Sequence, residues 1–183
     1  MTIVCDVDDV ICNLQEVVID LFNKRFGSQY TLKDFTEYDI MNVLSTQDAI
    51  VMKDMYGEPG LYSKVKPIPG AQDALEKLIN LGHQVYLVTA AIPETYGEKV
   101  AFIKRFFQYI DESHIVAMKH KHMFKCDLMI EDNLQALLAG QHYHRVLVNR
   151  PWNQSSKDWV YGINRCNNWS EILEVVNKIN DLE

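Results

Sequence analysis

The sequence predicts an α/β protein, a parallel sheet with helices on both faces and a small helical cap inserted after the first strand. Three observations predict it. From residue 68 onward, strand-length apolar runs alternate with segments of helical periodicity. A lone strand-like run stands ahead of them. Alternation of this kind calls for a parallel sheet covered by helices. The stretch between the lone strand and the alternation is too long for an ordinary connection. The expected organisation is therefore a core of residues 1–13 and 68–183 and a cap of residues 14–67.

Taken in order, "TIVCDVD" is a short buried strand that runs into acids. "NLQEVVIDLFNKRFG" spaces Leu14, Val17, Val18, Leu21, Phe22 and Phe26 as a helix does, with Gly27 as its stop. Residues 28–66 are rich in Tyr, Phe and Met and carry no strong strand signal. They hold a helical pattern around 46–56 and a turn at "GEPG". "PIPGAQDALEKLINLG" is a turn and a helix ending near Gly82, and "HQVYLVTAA" is a strand. "PETYGEKVAFIKRFFQYI" is a helix. "HIVAM" and "CDLMIEDN" are strands, the second again ending in acids. "LQALLAG" is a short helix, "HRVLVNRP" a strand, and "VYGINRCNNW" supplies one more. "SEILEVVNKIND" closes the chain as a helix, with Ser170 the expected N-cap.

The 183 residues are 48% hydrophobic, enough for a real core. The formal net charge of −7 argues against gripping polymeric nucleic acid through its phosphates, which needs a basic face. It leaves room for a small phosphorylated substrate, because a metal ion and one lysine supply positive potential locally. Cys5, Cys12, Cys126 and Cys166 form no C-x-x-C pair. No apolar run approaches the ~20 residues that span a bilayer, and Asp6 interrupts the N-terminal run too early for a signal peptide. The expectation is a reduced, cytoplasmic protein with no membrane partner.

In open α/β sheets, ligands bind outside the carboxyl ends of the strands. Four predicted strands carry polar groups there: Asp6-Val7-Asp8-Asp9, Thr89, the Lys119–Lys121 region, and Glu131-Asp132. Asp6 and Asp8, two apart, face one side of an extended backbone. Converging carboxylates repel unless a cation neutralises them. Hard oxygens with no Cys/His set suit Mg²⁺. Lys121, the Thr89 hydroxyl and backbone N–H groups near residues 8–10 and 90 suit the oxygens of a phosphoryl group. One aspartate is then available to attack phosphorus and a second to move protons.

This set resembles the haloacid dehalogenase (HAD) superfamily. "VCDVDDV", "VYLVT", Lys121 and "DLMIED" match its four motifs in order. "KVKPIPGAQDALEKL", "HKHMFKCDLMIEDN" and "NRPWN" resemble the 5'(3')-deoxyribonucleotidases within it. The resemblance implies a HAD-like Rossmannoid three-layer core and a Mg²⁺-dependent phosphatase for nucleoside monophosphates. It implies Asp6 as nucleophile and Asp8 as general acid/base. Asp6, the Asp8 backbone carbonyl and Glu131 would bind Mg²⁺, with Asp132 sharing the metal or orienting its water. Thr89, Ala90 and Lys121 would hold the phosphate. Cap aromatics would sandwich the base, Phe35 and Tyr62 being the candidates.

Three positions depart from the family: Asp9 where Gly is frequent, Ala90 where Ser is common, and Glu131 where Asp is usual. Lys119 and Lys125 are rivals to Lys121. The pairs His120/His122 and His142/His144 read as surface or loop residues, and Trp152 and Trp159 as structural. Two other readings keep part of the chemistry: a HAD phosphatase for another small phosphomonoester such as a sugar phosphate, and a non-hydrolytic phosphoacceptor signalling module.

Overall fold

In the computed structural model, which describes residues 1–154 and 161–181, the first apolar run forms β1 (Thr2–Cys5). It is central in a six-stranded sheet of order β3-β2-β1-β4-β5-β6, every pairing parallel. The other strands are β2 (Gln84–Thr89), β3 (Ile115–Ala117), β4 (Leu128–Glu131), β5 (His144–Val148) and β6 (Ile163–Cys166). Strand side chains alternate between the two faces. Ile3 and Cys5 join one hydrophobic cluster with Leu87, Ile130 and Val146, while Val4 joins a second with Val88, Met129 and Leu147.

The larger cluster is covered by α3 (Ala71–Asn80), α4 (Pro93–Phe106) and α6 (Trp169–Asn180). α3 buries Ala71, Ala74, Leu75 and Leu78, and α6 buries Trp169, Ile172, Val176 and Ile179, both the spacing of one helix face. The smaller cluster lies under the single-turn helix α5 (Leu134–Leu138) and Tyr143. Helices thus cover both faces, thickly on one and thinly on the other.

Between β1 and α3 the chain builds α1 (Leu14–Phe26) and α2 (Thr46–Met55), joined by 3₁₀ turns at Leu32–Asp34 and Ile40–Asn42. Gly27 ends α1 in the left-handed conformation, φ 69°, as the periodicity predicts. The expected cap of α6 is corrected. Asn168, not Ser170, accepts the Glu171 N–H, and Ser170 lies inside the helix. The helix starts earlier because Trp169 belongs to its buried face. All four cysteines are buried free thiols. Among the described residues no helix is long and apolar enough to cross a membrane. Trp159 lies outside the described residues.

Candidate active site

The strand order reverses direction between β1 and β4, so their carboxyl ends flank the crevice where open α/β sheets bind ligands. The β1 ladder continues one residue past the strand, the Asp6 N–H donating to the Ile130 carbonyl at 3.0 Å. This register sets Asp6 beside Glu131 and Asp132. All three carboxylates are buried, and they offer oxygens within 4.8 Å of one another.

Lys121 is buried among them, its Nζ 2.6 Å from Asp6 Oδ1 and 2.6 Å from Glu131 Oε2. Lys119 and Lys125 are exposed. Burial works against the charge on Lys121, but Asp6 and Glu131 outweigh it and hold the ammonium protonated above its usual range. Burial, then Asp6, raises Glu131 well above the usual carboxylate range against the pull of Lys121. Burial, Asp6 and Asp9 push Asp132 up to about 7. Three carboxyl groups crowd around one ammonium here. The set of hard oxygens therefore fits a divalent cation.

Beyond Asp6 the chain turns tightly, the Val7 carbonyl accepting from the N–H groups of Val10, Ile11 and Cys12. Asp9 sits at φ 56°, the one non-glycine residue among those described with positive φ. That conformation explains the frequency of Gly here in the resembled family. The Asp9 carboxylate accepts the Gln15 N–H at 3.0 Å in the first turn of α1. Its carbonyl accepts Arg150 Nε at 2.9 Å and Nη2 at 2.6 Å. Burial pushes the Asp9 carboxyl up to about 8, opposed by the Gln15 N–H.

A second cluster forms around Asp8. Tyr62 donates its hydroxyl to Asp8 Oδ1 at 2.8 Å, and Lys99 Nζ donates to Asp8 Oδ2 at 2.6 Å. Lys99 also donates to Thr89 Oγ1 at 2.8 Å and to the Ala90 carbonyl at 3.3 Å. Sequence reasoning missed Lys99. Its signal was present: with Thr95, Phe102 and Ile103 it lies on the buried face of α4, a lysine where an apolar residue belongs.

Asp6, Asp8, Thr89, Ala90, Lys121 and Asp132 line one cleft of about 490 Å³, and Glu131 does not reach its surface. From the segment between β1 and α3 come Phe35, Tyr38, Ile40, Tyr56 and Tyr62. Phe35 is only 1% exposed, its ring packed edge-on against Tyr30. Tyr56 donates its hydroxyl to Gln15 Oε1. Trp152, read from sequence as structural, lines the cleft and donates its indole N–H to Asp132 Oδ2 at 2.8 Å. His120, His142 and His144 are exposed and His122 half-buried, all outside the cleft.

The family model described as 5' nucleotidase, deoxy (pyrimidine), cytosolic type C protein matches residues 1–180. A Staphylococcus aureus (strain Mu50) protein described as a candidate 5'(3')-deoxyribonucleotidase is 28% identical over 138 residues, 74% of this chain and 76% of that one. The 5'(3')-deoxyribonucleotidase of Bacillus subtilis (strain 168) is 25% identical over 172 residues, 93% and 95% of the two chains. Among solved structures, a HAD family hydrolase from Deinococcus radiodurans, with bound phosphate and sodium, shares the fold. Its TM-score is 0.66 at 14% identity, over 97% of this chain and 95% of that one.

Proposed function

This chain belongs to the deoxy (pyrimidine) cytosolic type C 5'-nucleotidase family of the HAD superfamily and is a phosphoric monoester hydrolase, and on that premise we propose that it is a Mg²⁺-dependent 5'(3')-deoxyribonucleotidase working by double displacement through Asp6. The observation that carries the reading is the convergence of Asp6, Glu131 and Asp132 around Lys121, with Asp8 and Thr89 across the same cleft. Residues 1–13 and 68–183 would form the catalytic core and residues 14–67 the cap that selects the substrate. The reading takes the cytoplasm as its compartment.

Asp6, the Asp8 backbone carbonyl, Glu131 and Asp132 would hold the cation. Bound there, it would neutralise the negative charge carried by the phosphoryl oxygens. Lys121, the Thr89 hydroxyl and the backbone N–H of Ala90 would hold the phosphate. Asp6 attacks phosphorus, the ester P–O bond breaks, and Asp8 gives its proton to the departing sugar oxygen. Asp8 then takes a proton from water, the water oxygen attacks the aspartyl-phosphate, and the P–O bond to Asp6 breaks to release phosphate. The hydrogen-bond partners of Asp8 support Oδ1 as the atom that would carry the mobile proton. Lys99, on Oδ2, can only donate, whereas the Tyr62 hydroxyl on Oδ1 can turn from donor to acceptor. The expected base sandwich is revised: Phe35, 1% exposed, backs the cleft wall from behind, and Tyr62, bonded to Asp8, would work beside the reacting phosphate.

The test is the initial rate of phosphate release from a panel of deoxyribonucleoside, ribonucleoside and sugar monophosphates, with Mg²⁺ and with chelator. Fastest release from deoxyribonucleotides, lost on chelation and in Asp6→Asn, is expected. Faster release from a sugar phosphate overturns the substrate assignment. Full Mg²⁺-dependent turnover by Asp6→Asn overturns the mechanism, and stable phosphorylation of the protein without turnover favours a phosphoacceptor module.

A further inference from the structure

The turn that follows β5, "NRPWN", bonds to both acid-bearing loops. At one end, the Arg150 guanidinium donates two hydrogen bonds to the Asp9 carbonyl, 2.9 and 2.6 Å. At the other, Trp152 Nε1 donates to Asp132 Oδ2 at 2.8 Å, and Asn153 Nδ2 donates to the Asp132 carbonyl at 2.7 Å. The β1–β4 ladder ends where the Asp6 N–H meets the Ile130 carbonyl. Past that point this turn bonds to both loops.

The turn is itself braced. Pro151 opens a 3₁₀ turn, Pro151–Asn153, where its fixed φ and missing N–H cost nothing. Asn153 is 3% exposed. Its Oδ1 accepts the Arg150 N–H at 3.1 Å and Arg165 Nη1 at 2.7 Å, while its Nδ2 also reaches the Val148 carbonyl at 2.8 Å. Arg165 Nη2 holds the Asn153 carbonyl at 2.7 Å. Three residues of one turn therefore direct donors at the two loops, and β6 holds the turn from behind.

We propose that this turn is a clamp that sets the spacing between the β1 and β4 acid loops, with Trp152 and Arg150 as positioning residues for the cation site. The inference rests on the reading that Asp6, Glu131 and Asp132 hold Mg²⁺. By holding Oδ2 of Asp132, the indole restricts the rotation of the carboxylate beside Asp6 and Glu131. By holding the Asp9 carbonyl, Arg150 fixes the turn that carries Asp6 and the Asp8 carbonyl. Groups that orient metal ligands without touching the metal typically contribute about 10- to 100-fold in metal affinity.

The experiment titrates the full chain with Mg²⁺ by calorimetry, without substrate, for wild type, Trp152→Phe and Arg150→Lys. The first variant keeps an aromatic ring and loses the N–H; the second keeps the charge and loses the two-point grip on one carbonyl. Near-UV circular dichroism verifies folding. The expected result is a Mg²⁺ dissociation constant raised about 10- to 100-fold in each variant, with the Mg²⁺ concentration for half-maximal rate raised by the same factor. A folded Trp152→Phe protein with the wild-type constant overturns the proposal, even if its activity falls, because Trp152 then acts on the substrate it faces. If Trp152→Phe does not fold, a folded Arg150→Lys protein with the wild-type constant overturns it instead. A wild type that binds no Mg²⁺ overturns the underlying functional reading, which separates that failure from a failure of the clamp alone.

Discussion

Replacing Lys99 by methionine removes an ammonium while keeping most of the side-chain volume. Lys99 is 2% exposed, and its Nζ bonds to Asp8 Oδ2, Thr89 Oγ1 and the Ala90 carbonyl. Deleting one partner of a wholly buried ion pair costs about 3–5 kcal/mol. The Asp8 side chain is 25% exposed and keeps the Tyr62 hydroxyl, so water and one donor still serve it. The expected loss is therefore smaller, about 2 kcal/mol. For a chain of this length that lowers Tm by about 4–8 °C. Turnover suffers more, because Asp8 loses the contact that fixes Oδ2 and with it the aim of Oδ1. A fall in kcat of about 100-fold is expected, the low end of what a positioned proton donor contributes. Thermal unfolding and phosphate release from a deoxyribonucleoside monophosphate with Mg²⁺ measure the two effects. A folded Lys99→Met protein with wild-type kcat/KM would refute the assignment of Lys99 as the residue that holds the proton donor.

Tyr62→Phe removes the hydroxyl on Asp8 Oδ1, and kcat should fall about tenfold with little change in stability; an unchanged kcat would take Tyr62 out of the proton path. Asp9→Gly relieves the left-handed backbone at φ 56° and loses the bond to the Gln15 N–H. These effects oppose, so unfolding free energy should stay within about 1 kcal/mol of wild type. A loss above about 3 kcal/mol in denaturant titration would mean that the Asp9 carboxylate holds the loop. Mg²⁺ at a hundred times its dissociation constant should add about 2.7 kcal/mol of stability. No shift of Tm on adding Mg²⁺ or chelator would count against a cation site in the folded chain.

The fold class was legible because strand and helix periodicity is a local property. α3 and α6 declare their buried faces in four residues each, and β1 and β4 declare theirs as unbroken apolar runs. Misreading the start of α6 has the same root. Ser170 is a good cap by type, yet Asn168 precedes it and Trp169 is needed on the buried face. The aromatic residues of the cleft were legible only as a class. Phe35, Tyr56 and Tyr62 look alike in sequence, but Phe35 packs against Tyr30, Tyr56 bonds to Gln15, and Tyr62 bonds to Asp8.

By itself the sequence determined the acidic ends of β1 and β4, the threonine that ends β2, and a choice of three lysines ahead of β4. Those are properties of residue type and spacing along one strand. Tertiary structure decided which lysine is buried, Lys121, and brought in Lys99 from 91 residues away, Trp152 from 20 and Arg150 from 141. Periodicity tells that a side chain faces inward, not what it meets there. A buried ammonium, like a half-buried indole or guanidinium, must be matched to whichever acceptor the packed neighbours present, and only the folded arrangement specifies that acceptor.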